Sequence, residues 1–336
     1  MKNIESTVEF QIEKWNVGID ELSLDASNRK SPWFTAPGTI VKIYRKMQEQ
    51  PRLGDTRKLS QGINTRGGDD IYFFKEAAKG EPGYVVGVNH KGDKVRVESE
   101  LVYPLIQGKD FDEWHFKAKH AVIPHRPPTW SCIGPIEMKR TFPDALSYFE
   151  KHKRQLSERS LLSKKSTSSY YVVPEISVDK VGRWKVAWAD IAVKLKACVI
   201  PPKIDDPLVG TKNTLTDSTV QFVNVENEAE AQYLCGVLNS KIATSFSYNF
   251  ARPKGGAPFR GFRMWSVAIL PVPSFKNSKR DNDVVKFAKK LASDGTDEKV
   301  REKLEATIAM LYGLNEDEVN SLHGHYLLMS GKNSKP

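Results

Sequence analysis

Strand-like runs in this chain come in groups, and helical segments separate the groups instead of alternating with the strands one by one. A doubly wound parallel fold needs regular βαβ alternation, so that class is excluded and a mixed α+β fold is expected. Residues 39–50 place Ile40, Ile43, Tyr44 and Met47 at helical spacing, and Pro51 stops the run. The β-like runs Gly83–Val88 and Ala121–Ile123 follow. A spacer helix is expected from Pro143-Asp144 to about Leu161, because proline and an acidic residue suit a helix N-terminus. Tyr170–Val173, Arg183–Trp188, Ala197–Ile200 and Thr219–Val225 then read as strands, rich in Val, Ile, Tyr, Phe and Trp.

The pattern turns helical again towards the C-terminus. Residues 228–246 carry an apolar stripe of Leu234, Val237, Leu238, Ile242 and Phe246 and read as one amphipathic helix. A glycine- and proline-punctuated basic loop (Arg252 to Arg263) and Leu270-Pro271-Val272-Pro273 lead into helices over 281–292, 297–311 and 315–322. The expected architecture is two β-rich lobes with a spacer helix and a helical C-terminal segment, divided as 1–142, 143–169, 170–275 and 276–336. No apolar run approaches the roughly 18 residues of a membrane span. Met1 to Glu5 lack an apolar leader core, so a cytoplasmic protein is expected. Cys132, Cys198 and Cys235 form no CxxC pair and read as reduced thiols.

Charge narrows the choice of partner. The chain has 51 Lys and Arg against 41 Asp and Glu, a net +10. From Ala231 to Arg280 there is no carboxylate at all, whereas Lys241, Arg252, Lys254, Arg260, Arg263, Lys276, Lys279 and Arg280 are basic. Such a stretch suits a polyanion, whose condensed counterions are released on binding. It also suits a solvated basic face without a partner.

Motifs for catalysis are missing. No GxGxxG follows a strand, and neither a GxxxxGK[ST] loop nor a GxSxG elbow is present. His115, His120 and His125 recur every five residues, which scatters them around a helix, and His323-Gly324-His325 reads as an exposed helix end. Asp144 and Glu150 are the nearest candidates for a nuclease carboxylate pair, yet both fall in one helix. An adenine-N6 methyltransferase grips the exocyclic amine with Asn or Asp, two prolines and an aromatic ring. Here Arg126 precedes Pro127-Pro128 and Ile200 precedes Pro201-Pro202, so neither pair fits. No catalytic residue and no metal ligand is assigned, and the chain is not expected to catalyse by itself.

Five segments, read in order, resemble one family. Leu59-Ser60-Gln61-Gly62-Ile63-Asn64-Thr65 with Arg66-Gly67-Gly68-Asp69-Asp70 is similar to the G-I-x-T-G-x-N-D start of DNA target-recognition domains. Tyr103-Pro104-Leu105-Ile106-Gln107-Gly108-Lys109-Asp110-Phe111 is similar to their P-L-I-x-G-x-D-I segment. Phe142-Pro143 to Arg159 resembles their spacer helix. Gly236-Val237-Leu238-Asn239-Ser240-Lys241, Gly255-Gly256 and Leu270-Pro271-Val272-Pro273 resemble their L-L-N-S-K, G-G, L-P-x-P close. Leu311-Tyr312-Gly313-Leu314-Asn315-Glu316-Asp317-Glu318-Val319 resembles the terminal L-Y-G-L-T-x-E-E piece. Together they resemble the TaqI-like C-terminal specificity domain of N6-adenine DNA methyltransferases and fused type II restriction–modification enzymes. Arg66-Gly67 departs from the family's glycine directly after threonine, and the methyltransferase half is missing.

The resemblance implies sequence-specific recognition of double-stranded DNA, a methyltransferase domain or subunit as partner, and S-adenosylmethionine in that partner, with no cofactor in this chain. The residues expected to meet DNA are Arg66, Lys109, Lys164, Lys165, Arg252, Lys254, Arg260 and Arg263. Arginine suits guanine edges and phosphates, and Phe250, Phe259 and Phe262 would add apolar contacts. Surface salt bridges at Arg66 and Lys109, and a solvated linker at Ser163 to Tyr171, suit the same residues. A divergent metal-dependent nuclease and an RNA-binding or scaffold protein are the alternative functions.

Overall fold

The computed structural model describes residues 23–24, 30–159, 169–254 and 258–331. Four antiparallel strands form a central sheet in the order Leu59–Gln61, Val220–Val225, Trp184–Ala189, Ala197–Ile200. Alternation sends apolar side chains to both of its faces. Val186, Trp188, Ala197, Val223 and Val225 join the core formed with the helices, whereas Ala187, Cys198, Ile200, Val220 and Phe222 pack with Ile106. Two buried positions of this sheet, Gln221 and Lys185, break the apolar rule. Lys185 is fully enclosed beside Phe222, and its ammonium donates to the Arg183 carbonyl at 3.3 Å.

The helical layer contains Gly38–Met47, Glu228–Leu238 and Lys241–Phe250, with Lys279–Ser293, Glu298–Tyr312 and Glu316–Met329 completing it. The single helix expected over 228–246 is two helices. Asn239 ends the first helix, and its side chain accepts from the Ala197 N–H at 2.7 Å and donates to the Ala197 carbonyl at 2.9 Å, before the backbone turns extended at Ser240. Ser240 then caps the second helix by accepting from the Ala243 N–H at 3.1 Å. Apolar residues continue across this break, so periodicity alone does not mark it. Capping boxes at Ser278–Asp281 and Asn315–Glu318 start two of the C-terminal helices, and Gly313, at φ 66°, ends the one between them. The last helix runs on to Met329, so His323-Gly324-His325 lies within it and not at its end.

A second core gathers around two further sheets. Phe74–Lys79, Tyr84–Asn89 and Lys94–Glu98 form an antiparallel meander. Val102–Ile106 pairs antiparallel with Lys119–Val122 and parallel with Leu215–Thr216. The helices Pro135–Thr141, Pro143–Lys151 and Lys153–Ser157 contribute to this core. The expected spacer helix is thus interrupted at His152, whose buried ring meets Tyr148. Its last residues, 160 and 161, lie outside the described residues.

Tyr170–Val173 is not a strand. Arg159 donates to the carbonyls of Tyr170 (2.6 Å) and Val172 (3.0 Å), and the Val173 N–H donates to His125 Nε2 at 2.9 Å. Side chains therefore satisfy the backbone groups that a sheet ladder would otherwise need. Tyr171 and Val173 belong to the second core. The architecture is the mixed α+β class expected from the grouped strands. Among the described residues no helix is long and apolar enough to cross a membrane.

Candidate nucleic-acid interface

Two of the motif segments, those holding Gly62 and Gly108, converge on one turn, Asp217-Ser218-Thr219. The Asp217 carboxylate accepts from the Thr219 N–H (2.9 Å) and hydroxyl (2.5 Å) and from Gln107 Nε2 (3.0 Å). Burial holds this carboxyl above the ordinary carboxylate range, and those hydrogen bonds oppose the shift. The Ile63 N–H donates to the Thr216 carbonyl at 2.7 Å, and Gln61 donates to the Ser218 carbonyl. Gly62 lies so close that a methyl there would overlap the carbonyl oxygens of Thr216 and Asp217. This explains the glycine at that point of the motif. The Gly108 N–H donates to Thr219 Oγ1 at 2.7 Å, which sets the adjacent Lys109 on an exposed 3-10 turn.

From the same turn, hydrogen bonds lead to the basic strip. The Asp190 N–H donates to the Thr219 carbonyl at 2.8 Å, and the Phe262 N–H donates to the Asp190 carbonyl at 2.7 Å. Trp188 Nε1 donates to the Phe262 carbonyl at 2.8 Å, which ties the strip to the central sheet. The Arg263 guanidinium lies 3.5 Å from the Asp190 carboxylate and is otherwise exposed. Lys109 thus follows, and Arg263 is paired with, a residue that bonds this turn.

The strip itself is a small sheet. Ile191–Ala192, Arg260–Gly261 and Arg252–Pro253 pair antiparallel in that order, with Ile191 and Arg252 both opposite Gly261. Alternation therefore sends Arg252 and Arg260 to opposite faces. Arg260 turns inward: its guanidinium lies 4.4 Å from the Tyr248 ring centre and donates to the Ala251 carbonyl at 3.3 Å. Arg252 turns outward over Trp265, at 5.1 Å. Lys254 is exposed, and its N–H donates to the Phe259 carbonyl at 3.0 Å.

The other expected residues have different surroundings. Arg66, at φ 58°, is exposed and ion-paired with Glu175. Lys164, Lys165, Gly255 and Gly256 lie outside the described residues. Phe250 and Phe262 are buried in the core, leaving Phe259 as the exposed ring of the three. Trp188 is fully buried and Trp184 packs half-buried against the same core. Sequence reasoning missed Asp190, Asp217, Gln107 and Thr219. Gly62 and Gln107 stand inside quoted motifs, but nothing in the sequence marks the two aspartates.

The histidines go separate ways. His120 Nε2 sits 3.1 Å from Asp206, while His115 is exposed beside the Glu113 carbonyl. His125 bridges the Trp130 carbonyl (2.7 Å) and the Val173 N–H, and burial pushes its pKa down to about 4. Arg126, at the head of the first Pro-Pro pair, is ion-paired with Glu137 and Glu100. Asp144 is ion-paired with Arg96. Among the described residues no three His, Cys, Asp or Glu side chains gather where they would hold a metal ion.

No family model matches the chain. The type II methyltransferase M.NspV of Nostoc sp. (strain ATCC 29411 / PCC 7524) is 29% identical over 164 residues, 47% of this chain and 32% of that protein. The type IIL restriction–modification enzyme MmeI, solved in complex with DNA, shares the fold with a TM-score of 0.53 at 12% identity, over 84% of this chain and 37% of MmeI. The type IIG restriction endonuclease BpuSI aligns with a TM-score of 0.44 at 12% identity, over 85% of this chain and 34% of its own. The chain spans about a third of the length of the proteins it matches. It is related to part of a type II methyltransferase and has the fold of part of a restriction–modification enzyme.

Proposed function

We propose that this chain is the duplex-DNA recognition module of an adenine-N6 restriction–modification system, acting with a methyltransferase domain or subunit that binds S-adenosylmethionine. The observation that carries this reading is the convergence on Asp217. Segments distant in sequence meet there: Gly108, which precedes Lys109, and Asp190, which is paired with Arg263, both donate to Thr219. Cations fixed by a rigid scaffold can meet phosphates in register and leave neighbouring groups free to read base edges. M.NspV, named a methyltransferase, and MmeI, solved with DNA, support the same reading. Arg126 and Ile200 cannot grip an exocyclic amine, so in this reading the catalytic part supplies that grip.

The test is selection from a pool of random duplexes at moderate salt. The expected result is enrichment of one short sequence, bound about a thousandfold or more tightly than a scrambled duplex. Equal retention of all duplexes, or stronger competition by single-stranded RNA than by duplex DNA, would overturn the reading.

A further inference from the structure

We propose that the outward face of the small sheet takes an unstacked base of the bound duplex, with Trp265 as its stacking platform; this rests on the DNA reading above. Nine large apolar side chains are exposed among the described residues, and four of them, Ile191, Phe259, Met264 and Trp265, lie in the small sheet or within four residues of its strands. Trp265 is 41% exposed and Phe259 46% exposed. Close to half of each ring's surface still meets water, and apolar surface gathered near one small sheet calls for an occupant.

Register defines the surface that this occupant meets. Ile191 and Arg252 both stand opposite Gly261 and project from the same face. The next pairing along, Lys254 with Phe259, returns to that face by alternation. Arg252 lies against the Trp265 ring, and Arg263 immediately precedes Met264 and Trp265. Cations and apolar rings therefore alternate along this segment, with Arg252 and Trp265 in direct contact at 5.1 Å.

That interleaving selects the occupant. A protein surface complementary to the rings would also have to bury carboxylates against Arg252, Lys254 and Arg263. A phosphate backbone alone would satisfy the cations and leave the rings wet. A nucleotide presents a flat apolar face beside a negative charge, which answers both. Stacking a base on an aromatic ring is favourable on the same scale as the cost of unstacking one base step. A base that is already unstacked should then bind at a clear advantage.

The experiment compares two duplexes of one sequence, one fully paired and one carrying a single extrahelical nucleotide. The unaltered chain is expected to bind the bulged duplex about tenfold more tightly. Trp265→Ala should bring that ratio to about one, and Trp265→Phe should retain most of it. Lys254→Ala should weaken both complexes together and leave the ratio in place, and Trp33→Ala, at an exposed tryptophan that is not part of the small sheet, should leave the ratio unchanged. Unchanged thermal unfolding of Trp265→Ala would show that the loss is local. Tight binding of both duplexes with a ratio near one overturns this inference and leaves the DNA reading standing. So does a preference that survives Trp265→Ala. Failure to bind either duplex overturns both.

Discussion

The carboxylate-free run from Ala231 to Arg280 divides into two regions that lack acids for different reasons. Between Ala231 and Phe250 the helices are buried on nearly every side, and a carboxylate there would need a partner that the core does not offer. From Arg252 to Trp265 most of the described side chains reach solvent, so acids there would cost little in folding, and their absence instead shapes the surface potential. One compositional signal thus has two physical causes. Only the second bears on a partner.

Substitutions on the two sides of that divide should behave oppositely. Ala243→Glu places a charge in the closed helical core and should cost more than about 4 kcal/mol, read as loss of cooperative unfolding or a steep fall in Tm. Phe259→Glu, on the open side, should stay within about 0.5 kcal/mol of the unaltered stability and weaken duplex binding. Equal stability losses at the two positions would erase the distinction.

Lys185 tests the burial rule with a cation. Enclosure pushes its pKa down to about 8 from 10.5. Between those values the unfolded chain holds a proton that the folded chain has lost, so stability should rise as pH climbs from 8 to 10.5. Lys185→Met should remove that rise and add roughly 3 kcal/mol at pH 7, measured by urea unfolding across the pH range. A pH profile that is flat in both proteins would contradict the account of this residue.

Smaller effects should separate the two arginines of the strip that have opposite orientations. Arg263→Ala should weaken duplex binding by about 1–3 kcal/mol with little change in Tm. Arg260→Ala should lower stability by about 1 kcal/mol through the lost contact with Tyr248, and change the salt dependence of binding less than Arg263→Ala does. The opposite assignment of effects would mean that Arg260 faces the DNA.

These contrasts also mark what the sequence could reveal. The C-terminal helices were legible because their signals are local: a capping serine or asparagine, an acid three residues on, and a glycine past the end. The break at Asn239-Ser240 was hidden because the apolar stripe runs through it, and a long-range bond to Ala197 causes it. Tyr170–Val173 looked like a strand by composition, yet Arg159 takes the place of the sheet partner. In the strip, composition identified the cations, but Arg252 and Arg260 cannot be told apart until the strand register is known. Asp190 and Asp217 gave no signal, since each acts through a fold-dependent neighbour.

The central claim is that outward cations around Arg252 and Arg263 grip phosphates, and the salt dependence of duplex affinity tests it most directly. The logarithm of the binding constant should fall linearly with the logarithm of salt concentration, and neutralising Arg252, Lys254 and Arg263 together should reduce that slope by roughly three. A slope near zero, or one that survives the triple substitution unchanged, would contradict it.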